Sequence, residues 1–228
     1  MGVHCGITQK IAEFAFLIKN KIRPAGLRTL GVPCHLMGSG MAFPWDILMS
    51  ANLANNNIVE DMKLGVDFVL QGKGPYYQPL AAINSYFPTD EKAIESQRTR
   101  WEHGHISTMI TFSPFLVIAS LRKFSLVPLL FCLDLIIPPL ALLVITFILS
   151  FFISLAYWLV TNSALLLAMV CLGGFGFFAV IVFIWHQHGR HIISRREFLS
   201  IPKYIVSKLG IYGKLFGKKE TRWVKTKR

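Results

Sequence analysis

Two adjacent carboxylates, Glu60 and Asp61, come after an asparagine-rich stretch and are the first residues to suggest chemistry. Neighbouring acids repel, so one of the pair can be tuned to take a proton from a substrate. The same pair is also an ordinary solvated start to a helix. Further along, Gln97-Arg98-Thr99-Arg100-Trp101 falls in a helical stretch. Arg98 and Trp101 are three apart and Gln97 and Trp101 four apart, spacings that bring side chains to one face. Guanidinium groups there suit a diphosphate, and an indole suits stacking on a sugar ring. The competing reading is a helix snorkelling its arginine and tryptophan at a membrane surface. Ahead of both lies Gly38-Ser39-Gly40, which alone reads as a turn.

The elements that must position these residues emerge from the charge pattern. The 228-residue chain is 53% apolar and 16% charged, with 24 Lys and Arg against 12 Asp and Glu and a net charge of +12. So apolar a chain is not disordered, and Cys5, Cys34, Cys132 and Cys171 are too scattered for a disulfide scaffold. From Phe124 to Gly189 the only formal charge is Asp134. That stretch predicts two transmembrane helices, Val127–Leu159, kinked at Pro138-Pro139, and Ala164–Trp185, joined by a turn at Val160–Ser163. Arg122 and Lys123 precede it and Arg190, Arg195 and Arg196 come after it, so the flanks and both termini are expected in the cytoplasm. Asp134 reads either as a functional intramembrane acid or as a group snorkelling from a helix end. Residues 1–30 carry basic residues and no apolar core, so no signal peptide is expected.

Residues 1–108 read as a region outside the bilayer. A helix is predicted at Ile11–Ile18, ended by Arg23-Pro24-Ala25-Gly26, and a loop at Asn52–Asn57. Met62–Gln71 reads as a helix-to-strand passage, Ala81–Tyr86 as a strand, and Thr89-Asp90 as the cap of a helix from Glu91 to about His105. The next apolar segment, 109–126, is short and is expected to lie in the membrane interface. The tail 190–228 holds most of the net charge. In it Phe198, Ile201, Ile205, Leu209, Tyr212 and Phe216 form an apolar stripe with Lys203, Lys208 and Lys214 off it. A basic amphipathic helix of this kind is expected on an anionic lipid surface, and beside membrane spans no nucleic-acid partner is expected.

In order and spacing the three patterns resemble the C-terminal portion of a membrane-bound family 2 glycosyltransferase, the group of cellulose, hyaluronan and ceramide-glucose synthases, with a tail of the bacterial polysaccharide type. Gly38, Ser39 and Gly40 match its acceptor-side glycine/serine motif, Glu60-Asp61 its acidic pair, and Gln97–Trp101 its Q-x-x-R-W pattern. The resemblance implies the C-terminal half of an α/β, GT-A-like catalytic domain over 1–108, an interfacial helix over 109–126, two transmembrane helices within 127–189 and a cytoplasmic tail. It implies a multi-pass protein of the bacterial inner membrane that transfers a sugar, with inversion, from a nucleotide-sugar donor to a saccharide or lipid acceptor. Asp61 would be the general base and Glu60 would orient the site. Arg98 and Arg100 would offset charge on the leaving diphosphate, and Trp101 would stack on the acceptor. Mg²⁺ or Mn²⁺ is expected in the full-length family. No D-x-D can be written from Asp46, Asp61, Asp67, Asp90 and Asp134, so no cofactor site is expected in this chain, which reads as lacking the nucleotide-binding half. The alternative is a non-catalytic membrane remnant or accessory subunit. His103, His105, His186, His188 and His191 suggest a metal, but histidines two apart on a helix point to different faces, and no metal site is expected.

Overall fold

The computed structural model describes residues 6–51, 59–83 and 91–201, with residues 91–96 and 98 described by backbone alone. Its helices are α1 (Ile7–Leu17), α2 (Arg23–Thr29), α3 (Trp45–Met49), α4 (Glu60–Leu70), α5 (Glu91–Lys123), α6 (Leu126–Leu135), α7 (Leu140–Thr161), α8 (Leu165–Ile184) and α9 (Arg195–Phe198). Residues 20–138 form one compact unit, and residues 6–19 with 139–201 form the other. The Asn52–Asn57 loop, residues 84–86 of the expected strand, the Thr89-Asp90 cap and the tail stripe beyond Ile201 lie outside the described residues.

The expected α/β half-domain is overturned. The structure is 73% helical and holds no strand among the described residues. Residues 32–37 and 73–78 lie side by side without regular structure, and the backbone bond between them among the described residues is Cys34 N to Pro75 O, at 2.9 Å. Pro33 and Pro75 have no N–H to donate, which stops a ladder from propagating on either side of that bond. Met62–Gln71 is not a passage into a strand either. Val59, Met62, Val66 and Val69 recur at helical spacing and pack on Leu116, Phe131, Cys132 and Leu135 of α5 and α6. The opposite side of α4 buries Leu64 and Phe68 against Leu36. A helix buried on two sides reads in sequence like a mixed apolar run.

The expected two spans are also corrected, because three helices are long and apolar enough to cross a membrane: Thr99–Lys123, Leu140–Thr161 and Leu165–Gly189. Val127–Leu159 is not one kinked helix. Residues 136–139 break it, since Pro138 and Pro139 offer no N–H and push the residue before them out of helical conformation. What precedes the break is α6, ten residues long and too short to span. Instead α6 folds back on α5 through Phe124, which takes a left-handed φ of 47°. Ser120 and Ser125 close that turn, the Ser120 hydroxyl donating to Ser125 O at 2.7 Å. In the second unit α7 and α8 form a hairpin turned at Asn162 (φ 56°). Gly173 and Gly174 leave room for Phe147, whose ring stacks on Phe177 at 5.1 Å. The predicted helix end at Arg23–Gly26 fails as well, because a π-helical turn, Ile18–Ile22, carries the chain into α2, where Pro24 sits in the first turn and needs no donor.

Candidate functional site

The unit of residues 20–138 brings two of the three patterns into contact and sets the third beside them. Gly38 has φ +77°, a left-handed conformation that favours glycine, and a Cβ there would lie 3.0 Å from Asp61 Oδ2. The glycine loop is therefore seated against the aspartate. Gly40 (φ +68°) instead backs onto Ile83, where a Cβ would fall 2.8 Å from Ile83 Cδ1. Glu60 and Asp61 are the first residues of α4, where the helix N-terminus favours negative charge. Asp61 Oδ1 accepts from Met62 N at 2.8 Å, which leaves Oδ2 on the side of the loop.

The third pattern arrives on α5. Positions 97, 101 and 104 share one stripe of that helix. At Gly104 a Cβ would come 2.5 Å from Val59 Cγ1, so α5 crosses α4 directly beside Glu60-Asp61. Trp101 is one turn from that crossing. Gly38, Ser39, Gly40 and Glu60 are exposed, while Asp61, Gln97, Arg100 and Trp101 are half-buried; Arg98 is placed by its backbone alone. Gly104→Ala tests the crossing. The gain in helix propensity is under about 1 kcal/mol, whereas forcing a methyl into a packed contact costs about 1–3 kcal/mol. A net loss of stability is expected on thermal unfolding, restored in the Val59→Ala/Gly104→Ala double variant. Equal losses with and without the Val59 change would refute the close approach.

A buried polar hub holds these parts together, and little of it is visible in the sequence. Asp134 ends up neither inside a span nor snorkelling. It sits near the C-terminal end of α6, where Arg23 donates to Oδ1 from Nη2 (2.7 Å) and Nε (3.1 Å) and to Asp134 O at 2.8 Å. His35 Nε2 lies 3.2 Å from Asp134 Oδ2, and its ring tilts on Phe131 at 4.2 Å. Burial alone would raise the Asp134 pKa, but the His35 hydrogen bond and the Arg23 charge outweigh it and hold the carboxyl below its ordinary 3.8. One residue on, Leu135 O takes a 3.0 Å hydrogen bond from His105 Nε2. His35 is three residues before Gly38 and His105 four after Trp101, so the end of α6 ties down both the loop and the helix that flank Asp61. The signal in the sequence was Asp134 itself, a lone acid in an apolar run that requires basic partners once buried. Cys34 is no nucleophile, since burial pushes its thiol up to about 11. Among the described residues no three His, Cys, Asp or Glu side chains gather as a metal cage.

A family model described as glycosyl transferase family group 2 matches residues 20–180. The chain belongs to that family. No curated protein and no solved structure matches it. The family match takes in all three patterns and the hub, and family membership supports sugar transfer from a nucleotide-sugar donor to an acceptor. The three long apolar helices suggest a membrane protein.

Proposed function

We propose that this family group 2 glycosyltransferase uses the Gly38–Asp61 juxtaposition as the acceptor side of an inverting sugar transfer. The acceptor hydroxyl, a saccharide's or a lipid's, is delivered over the exposed Gly38-Ser39-Gly40 loop. Asp61 takes its proton as the oxygen attacks the anomeric carbon, and the bond to the nucleotide diphosphate breaks on the opposite face. Arg98 and Arg100 offset the charge that develops on the leaving group. Trp101 stacks on the acceptor ring, and Glu60 helps to orient the acidic pair. The observation that carries this reading is the close seating of Gly38 on the Asp61 carboxylate, in a chain whose family transfers sugars. Membranes containing the full chain, offered a panel of nucleotide sugars with and without saccharide acceptors, should release nucleoside diphosphate from one donor. The absence of release from every donor would overturn the reading.

A further inference from the structure

We propose that the segment after the last span, Trp185–Leu199, is a binding site for the phosphate group of an anionic phospholipid. It lies in the unit of residues 6–19 and 139–201, and all of it falls outside the 20–180 family match. The helix Leu165–Gly189 is apolar up to its final turn, so the residues beyond that turn must sit at headgroup depth.

The segment is built rather than loose. Ile192 N and Ile193 N both donate to Gly189 O, at 3.0 and 2.9 Å. Trp185 Nε1 donates to Ile193 O at 2.9 Å, and its ring lies 4.8 Å from that of Phe198, an interfacial anchor facing its own loop. Behind it stands α1. Phe14 occupies the space beside Gly189, where a Cβ would fall 2.5 Å from Phe14 Cε2, and Lys10 pairs with Glu197 at 2.7 Å. Ser194 caps α9 reciprocally with Glu197, its N and Oγ donating to Oε2 at 2.9 and 2.8 Å.

Glu197 is the one acid between Trp185 and Leu199, and those bonds consume it. The Lys10 and Ser194 hydrogen bonds draw its pKa down to about 2, so it stays an anion committed to Lys10. Arg190, Arg195 and Arg196 are left exposed, with no carboxylate in ion-pair range among the described residues. Arg190 keeps its guanidinium 5.9 Å from the Trp185 ring centroid, a contact that fixes the charge without neutralising it. Three guanidinium groups with no carboxylate partner among the described residues, on a turn held by these bonds, suit a phosphate. The lipid rather than a free anion is indicated by what surrounds them: the end of a membrane helix below, and exposed Leu199 one turn along from Arg195 and Arg196, which suits the acyl boundary.

The test uses the full chain in detergent, exchanged with mixed micelles of phosphatidylcholine and phosphatidylglycerol, with retained lipids counted by native mass spectrometry. Phosphatidylglycerol should be enriched in the wild type. Each of Arg190→Gln, Arg195→Gln and Arg196→Gln should lower the enrichment about fivefold, since one basic residue near an anionic surface contributes about that factor. The triple variant should abolish it, whereas Lys203→Gln/Lys208→Gln/Lys214→Gln in the tail should keep most of it. Unchanged enrichment in the triple variant overturns the proposal, as does loss confined to the tail variant. Displacement of the lipid by millimolar inorganic phosphate would make this a free-anion site and overturn the lipid assignment. None of these outcomes depends on sugar transfer.

Discussion

Asp134→Ala should cost the unit of residues 20–138 about 3–5 kcal/mol, the loss expected when one partner of a buried ion pair is removed and the others are left charged. Arg23 would lose both hydrogen bonds to the carboxylate, keeping the one to the carbonyl of residue 134, and His35, only 5% exposed at its side chain, would keep its ring nitrogens in a pocket built around a carboxylate. The damage should spread to the two flanks of Asp61, because α6 would release the segment before Gly38. Thermal unfolding of the purified chain reads the loss, and amide exchange should quicken first over residues 32–40. A change under about 1 kcal/mol would mean the hub is solvated in solution. The pH dependence has a definite sign. The folded carboxyl titrates below its ordinary 3.8, so its contribution is complete above that pH and fades as pH falls through the lower, folded value. Arg23→Met/His35→Leu/Asp134→Leu is the informative counterpart. Apolar replacement of a whole buried network is often neutral or stabilising. If the triple variant is as stable as wild type but lets the Gly38 loop exchange freely, the charges are there to fix geometry rather than to add stability.

That distinction explains what could be read in the sequence. Two of the long apolar helices were legible because they depend on composition along a single segment: α7, α8 and their turn at Asn162 fall where the charge gap lies, whereas the apolar stretch of α5 begins within its charged half. The break at Pro138-Pro139 was visible, but its depth was not. Whether tandem prolines kink or end a helix depends on whether the preceding piece has something to fold onto, and here α6 finds α5 and α4. Residues 81–83, the described part of the expected Ala81–Tyr86 strand, are not in a strand, because a strand is a pairing and one segment cannot report whether a neighbour with free donors lies beside it.

The candidate site divides in the same way. Glu60-Asp61, Gly38–Gly40 and Gln97–Trp101 were visible as local patterns. What seats them was not, because Gly104 matters only through Val59, and His35 and His105 only through the end of α6. Glycines and histidines of this kind are silent in one sequence; their meaning lies in which element crosses them. Arg23 illustrates the limit. Next to Pro24 it looks like the end of a helix, and only the fold discloses that it reaches a carboxylate more than a hundred positions away.

Asp61→Asn should lower the rate of transfer by about 10²–10⁴, the usual worth of a positioned general base, with little effect on stability. The amide is nearly isosteric and its oxygen can still accept from Met62 N, so α4 keeps its first turn and the seat against Gly38. What is lost is the ability to accept a proton on the side of the loop. If the proton acceptor is Asp61, the defect falls on turnover, and the apparent affinity for the donor is unchanged, since the proposed mechanism gives the donor's charge to Arg98 and Arg100. The pH profile separates this from a structural role, because the wild type should lose activity on the acid side as the base protonates and the residual activity of the variant should not track that limb. Glu60→Gln is the control. Glu60 is exposed, and Gly38 is seated against its neighbour, so its loss should be far smaller than that of Asp61. Equal defects in the two variants would show that the pair acts through its summed charge on the helix terminus, and the assignment of a single base would fall.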